Sequence, residues 1–212
     1  MYHILCFGDS NTYGYNGETQ GRFGWDKRWT GILARSLGSE WLITEEGLNG
    51  RTSGFQEHGK KYRDPIPYLA PCILSHMPLD LIIVMLGTND TKPVFQASPE
   101  EIARSMGKLT LRVRNYSRLK GEGCQTLLVA PVPMDDRAVH SGIEFDRSSV
   151  KKSPCLASLY QSLAQDLNIH FLDAGTAGIP LCSDGCHFSE EGHRKFAAFI
   201  KEKILQILLS PA

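Results

Sequence analysis

The sequence predicts an α/β fold built on a parallel sheet, and three observations carry that prediction. Short β-rich apolar runs recur along the 212 residues, each is followed by a stretch with apolar residues at helical spacing, and the central run Leu81-Ile82-Ile83-Val84-Met85-Leu86 shows no polar alternation. A run without alternation is what a parallel strand covered on both faces requires. The strands fall over residues 2–7, 41–45, 79–86, 125–132 and 169–172. Trp25, Trp29, Ile32, Leu33 and Leu37 mark a first helix, and a weaker pattern from Pro67 to His76 marks a second. The third opens on Ser98-Pro99-Glu100-Glu101, a capping box with proline at the first helical position, and continues through Ile102, Met106, Leu109 and Val113. Leu156, Leu159, Tyr160, Leu163 and Leu167 give the fourth; Phe196, Ile200, Ile204 and Ile207 give the last. Strand and helix alternate five times, and right-handed crossovers stack such units into one open sheet with helices on both faces, a single domain over residues 1–212.

Charge and composition exclude several classes. Lysine plus arginine number 23 and aspartate plus glutamate 23, so the formal charge is zero and the electrostatic footprint of a nucleic-acid binder is missing. At 42% hydrophobic and 22% charged, the chain is of ordinary globular composition. The run from Leu81 to Leu86 is too short to cross a bilayer, and Met1-Tyr2-His3 places no basic region before an apolar one, so neither membrane span nor signal peptide is expected. Six cysteines scattered through a chain of this size read as reduced thiols, which together point to a cytoplasmic protein.

Ligands of open parallel sheets bind beyond the carboxyl ends of the strands, so the residues after each strand are where chemistry is sought. Gly8-Asp9-Ser10-Asn11 follows the first strand, and Asp184-Gly185-Cys186-His187 follows the fifth. A carboxylate three positions from a histidine can orient the ring by one nitrogen and leave the other to deprotonate a serine, the order of contacts that serine hydrolysis needs. The 177 residues between Ser10 and His187 are no obstacle, because both segments open onto the same edge of the sheet. Asn89, in Leu86-Gly87-Thr88-Asn89-Asp90, can donate to an oxyanion, and the amide of Gly50, in Gly47-Leu48-Asn49-Gly50-Arg51-Thr52, can point inward unobstructed. With the Ser10 amide these make three donors, one such donor being commonly worth about 3 kcal/mol in the transition state.

Other residues carry competing readings. Asp9, Asn11 and Trp25 are candidates for substrate contact, although successive residues point apart, which suits Asp9 better to hydrogen bonding within its loop, and Trp25 equally suits a subunit interface. Cys182, Cys186, His187 and His193 include zinc-ligand types, but their spacing fits no common zinc pattern, so no metal is expected. The glycines of Gly8-Asp9-Ser10-Asn11-Thr12-Tyr13-Gly14 match neither the dinucleotide nor the P-loop form, and no cofactor is expected. Lys60-Lys61-Tyr62-Arg63 reads as a solvated basic loop.

The four strand-end fragments, in this order and spanning residues 8–187, resemble the conserved blocks of the GDSL or SGNH hydrolase family. That resemblance implies a flavodoxin-like three-layer sandwich, the nucleophile at Ser10, the oxyanion residues at Gly50 and Asn89, and the acid–base pair at Asp184 and His187. Asn11 departs from the leucine in the family's name. A closer likeness runs through Ile4 to Ser10, Arg28-Trp29-Thr30-Gly31, Glu46-Gly47-Leu48 and Met85 to Lys92, which resemble a bacterial arylesterase subgroup that includes an acyltransferase. It implies short-chain esters as small-molecule substrates, transfer of acyl groups to alcohols beside hydrolysis, and a homo-oligomer. Two alternatives stand beside it: an O-deacetylase of acetylated sugars with the same triad, and a non-catalytic carbohydrate or small-molecule binder. The loops at residues 16–24, 55–65 and 133–149 form the rim that separates these substrates.

Overall fold

The computed structural model describes residues 1–119 and 123–209. Five strands, β1 (Tyr2–Gly8), β2 (Trp41–Gly47), β3 (Leu81–Met85), β4 (Gln125–Ala130) and β5 (His170–Asp173), pair in parallel in the order β2-β1-β3-β4-β5. Five main helices alternate with them: α1 (Trp29–Leu37), α2 (Ile66–His76), α3 (Pro99–Ser117), α4 (Leu156–Leu167) and α5 (Glu190–Leu209).

The period of two along each strand divides the core into two layers. Leu5, Phe7, Ile82, Val84, Leu128 and Ala130 pack with Leu69 and Ile73 of α2, Ile102, Met106 and Leu109 of α3, and Leu156 and Tyr160 of α4. Their alternating neighbours Ile4, Cys6, Leu81, Ile83, Met85, Leu127 and Val129 pack with Trp29 and Leu33 of α1 and Phe196, Ile200 and Ile204 of α5. The unbroken apolar run of β3 thus feeds both layers, as a strand buried on its two faces must. Full burial of one such side chain contributes roughly 1.5–3 kcal/mol of transfer free energy.

The expected elements differ from the observed ones at their ends, and a short antiparallel pair, Tyr15–Asn16 with Gly21–Arg22, and a helix over Arg147–Lys152 stand in stretches expected as loops. The capping box forms at Ser98, whose side chain accepts from the Glu101 amide while Glu101 answers the Ser98 amide. The first helix starts at Trp29 and not at Trp25, because the Lys27 and Arg28 amides both turn back to the Gly24 carbonyl and Arg28 is extended. In that conformation Arg28 grips Glu45 of β2 through two hydrogen bonds of 2.8 and 2.6 Å, and Thr30 joins the same carboxylate. Burial opposes the charge on Glu45, but the Arg28 and Thr30 hydrogen bonds outweigh it and leave its carboxyl below the ordinary range. Among the described residues no helix is long and apolar enough to cross a membrane, and all six cysteines are free thiols.

The chain leaves β1 in one direction to reach β2 and returns across it to β3, so the strand order reverses between β1 and β3. That reversal opens a crevice at the carboxyl ends of the two strands. Ser10 follows one of them and Asn89 the other.

Candidate active site

Asp9 ends β1 by capping a one-turn helix, Ser10–Tyr13, its carboxylate accepting the Asn11 amide at 3.0 Å. Ser10 is therefore the first residue of this helix, and among the described residues no protein acceptor takes its amide hydrogen. On the other side of the crevice the turn Asp184-Gly185-Cys186-His187 folds around the Asp184 carboxylate. One oxygen accepts the Cys186 and His187 amides, each at 3.0 Å, and the other lies 2.6 Å from His187 Nδ1. Gly185 is required in this turn: its φ is +66°, and a Cβ there would overlap Asp135 and the Ala138 backbone. Burial alone would raise the Asp184 carboxyl, yet hydrogen bonding by the His187 ring, with its charge and the two amides, brings it below its ordinary value. An ionised Asp184 accepts from Nδ1–H, which fixes the tautomer and leaves the Nε2 lone pair facing Ser10 Oγ at 2.9 Å.

What holds these two distant turns in register is Asn11. Its side-chain oxygen accepts the Phe188 amide at 2.8 Å and its amide donates to the Cys186 carbonyl at 3.3 Å, so both neighbours of His187 are tied to the residue after Ser10. Asn11 also receives Trp29 Nε1 on its carbonyl at 3.1 Å.

Ser10, Gly50, Asn89 and His187 line one cavity of about 270 Å³, with Tyr15, Asn49, Arg63, Thr88, Lys92 and the segment Gly142 to Phe145 completing its walls. Gly50 sits at φ +79° with the Arg63 guanidinium packed so closely that any Cβ would overlap it. Its amide, like that of Ser10, has no protein acceptor among the described residues. The Asn89 side-chain amide donates one hydrogen to the Arg51 carbonyl at 3.2 Å, which orients it and leaves the second hydrogen for a ligand. The arrangement can take a proton from a serine hydroxyl and hold a developing oxyanion with fixed donors.

The structure does not bring the remaining candidates to this cavity. Asp9 is buried behind the turn it caps, and burial pushes its carboxyl up to about 6 in spite of the Asn11 amide, His187 and Arg51. Asn11 is spent on the Cys186–Phe188 tie. Trp25 stands about half exposed, 5.6 Å from the Arg35 guanidinium, and does not line the cavity. His193 is buried and accepts the Trp29 amide at 3.3 Å, while Cys182 donates to the Phe188 carbonyl at 3.4 Å, so the Cys/His set does not converge. Glu46, Cys72 and His76, where β2 meets α2, are the described residues whose potential metal-ligand atoms lie within 4.8 Å of one another.

Tyr15 and Arg51 contribute without any sequence signal. The Tyr15 ring lies against that of His187, centroids 4.5 Å apart and planes tilted by 51°. Arg51 is buried with its guanidinium 4.1 Å from the Phe7 ring, donates to the Gly8 carbonyl at 2.9 Å and to that of Glu46, and so ties the ends of β1 and β2 beneath the Asn89 amide. Asp90, buried behind Asn89, accepts from the Ser53 amide at 2.8 Å and from its hydroxyl.

The model of the GDSL-like lipase/acylhydrolase family matches residues 6–195, nearly the whole chain. The chain belongs to that family. As an acylhydrolase it is a carboxylic ester hydrolase, and its solved structural relatives fit that class. A carbohydrate acetylesterase family member from Sinorhizobium meliloti is 32% identical with a TM-score of 0.90, covering 98% of this chain and 99% of that one. Est24, a carbohydrate acetylesterase from the same organism, is 35% identical at a TM-score of 0.87, over 98% of this chain and 100% of its own. The native M. smegmatis aryl esterase is 33% identical at 0.89, again over 98% and 100%. No curated protein matches the sequence significantly.

Proposed function

We propose that this acylhydrolase is a serine esterase that cleaves short-chain carboxylic esters through an acyl-enzyme on Ser10. The observation that carries the reading is the chain of contacts from Ser10 Oγ to His187 Nε2 at 2.9 Å and from His187 Nδ1 to Asp184 at 2.6 Å, in one buried corner of the cavity. His187 takes the Ser10 proton as Oγ attacks the ester carbonyl, and the Ser10 and Gly50 amides with the Asn89 side chain receive the oxyanion. The tetrahedral intermediate collapses with expulsion of the alcohol, which takes the proton back from His187. Water then attacks the acyl-enzyme by the same route, and an alcohol in its place gives transesterification. A cavity of only about 270 Å³ favours short acyl groups.

The same chemistry serves deacetylation of sugars, and that second reading is favoured by the likeness to two carbohydrate acetylesterases. A cytoplasmic homo-oligomer remains part of the proposal. The test is a burst-phase assay with p-nitrophenyl acetate and butyrate on the native protein and Ser10→Ala, with an alcohol added to part of the samples. Ser10-dependent release that prefers acetate supports the esterase, and ester product rising with alcohol supports acyl transfer. A folded protein that turns over neither ester moves the proposal to acetylated sugars, and failure on those as well leaves the binding module.

A further inference from the structure

The cavity wall contributed by Arg63, Lys92 and Glu144 carries charges that ester hydrolysis does not use. Lys92 Nζ lies 2.8 Å from Glu144 Oε2, Arg63 Nη1 3.7 Å from the same oxygen, and Lys60 Nζ 2.8 Å from Oε1. One carboxylate, delivered by the segment that follows Gly142, therefore sits on three cations. Hydrogen bonds from Lys60 and Lys92 hold its carboxyl at about 2, so it is an anion at every working pH.

The partners are unequal in how they meet water. The Lys92 side chain is 7% exposed and that of Glu144 is 53% exposed. An ammonium so removed from solvent requires an anion beside it, whereas a half-solvated carboxylate can leave into water with little loss. Arg63 and Lys60 each have a second carboxylate in Glu57, at 2.7 and 2.5 Å. Lys92 has Glu144 alone among the described residues. Both cavity cations adjoin the oxyanion donors: Arg63 packs on Gly50, and Lys92 lies three residues beyond Asn89 with the Phe145 ring 5.5 Å from its ammonium.

We infer that Lys92 and Arg63 form a binding subsite for a carboxylate on the ester substrate, a place that the Glu144 carboxylate fills when no such substrate is bound. The inference rests on the esterase reading and narrows its substrate class to carboxylate-bearing esters. Guanidinium and ammonium together supply charge-assisted donors of the kind that recognise a carboxylate, and the enzyme's own glutamate already satisfies them. The substrate's anion can belong to its acyl part or to its leaving group.

Two measurements test this. In the first, kcat/KM is compared for monophenyl succinate against its methyl ester, and for 3-acetoxybenzoate against its methyl ester, in the native protein, Glu144→Gln and Lys92→Met. The ratio of anionic to neutral ester is expected to rise about tenfold in Glu144→Gln and to fall about tenfold in Lys92→Met, in the first pair if the acyl part carries the anion and in the second if the leaving group does. In the second, calorimetry follows succinate and benzoate binding to the same proteins, which needs no turnover. Tighter binding of one anion by Glu144→Gln, lost in Lys92→Met, supports the subsite; equal ratios and equal binding in all three proteins overturn it. Failure of the esterase reading looks different, since it removes turnover of the neutral methyl esters and of phenyl acetate while leaving the calorimetric result to decide the subsite.

Discussion

The two sides of the cavity are built by different physics. The corner that holds Ser10 and His187 is buried and fastened by hydrogen bonds from backbone and amide groups: Asn11 to Cys186 and Phe188, and Asp184 to two amides and the imidazole. The facing wall of Arg63, Lys92 and Glu144 is fastened by ion pairs whose carboxylate is half in water. Buried hydrogen bonds lose heavily if displaced and so hold a geometry, whereas solvated ion pairs exchange readily with water or ligand. On the proposed mechanism, positions that must stay constant through the reaction lie on the first kind of wall, and those proposed to meet variable substrate lie on the second.

This contrast can be broken or sharpened by substitution, beginning where the effect is greatest. Ser10→Ala is expected to lower kcat on p-nitrophenyl acetate by about 10⁴-fold or more with the melting temperature retained, and turnover within tenfold of native would remove Ser10 from the chemistry. Asn89→Ala takes away one proposed oxyanion donor and should cost about 10²–10³ in kcat with a smaller change in KM, which steady-state kinetics resolves.

Buried charge supplies the next test. Burial lifts the Asp9 and Asp90 carboxyls from 3.8 to about 6, the Asp90 value in spite of hydrogen bonds from Ser53. Between roughly pH 4 and 6 the folded chain therefore holds more protons than the unfolded chain, so each group's contribution to stability declines as pH rises through that window and is flat above it. The loss is on the order of 3 kcal/mol for each group. Asp90→Asn should gain stability relative to the native protein from pH 4 to 7 in thermal melts, and parallel profiles would sink the assignment.

Asn11→Leu, which installs the residue of the family's name, deletes both ties between the Ser10 and His187 turns. A loss of about 1–3 kcal/mol in denaturant unfolding is expected, together with lower activity, because the Phe188 amide and Cys186 carbonyl stay buried without partners. The smallest effect belongs to the wall of ion pairs: Lys60→Ala, at the exposed end of the Glu144 cluster, should leave the melting temperature within measurement error.

The strands and both core layers could be read from sequence because a period of two on strands and about 3.6 on helices follows directly from burial. The Ser10 segment is legible for a related reason, lying just beyond an apolar run that had to be a strand, and the His187 turn is legible because a carboxylate stands three positions before the histidine. Asp9 and Asn11 flank Ser10 in sequence, but one turn of helix points successive side chains apart: Asp9 takes the cap, the role its loop position already favours, and Asn11 goes to the His187 turn, which no local pattern encodes. Trp25 continued the apolar spacing of α1, and only the turn at Gly24 with the extended Arg28 set it outside the helix. Arg51, Tyr15 and Glu144 act through partners from other segments of the chain, and no local pattern encodes such encounters.

The tie at Asn11 also bears on how the protein comes into being on the ribosome. Ser10 is made well ahead of Asp184 and His187, which follow 174 and 177 residues later, just before α5, whose packing against α1 completes the second core layer. A nascent or truncated chain that stops before Asp184 holds a serine hydroxyl with no base beside it. On the proposed mechanism reactivity is thereby withheld until the final helix is at hand, and the appearance of ester cleavage during synthesis would time the closing of the last core layer.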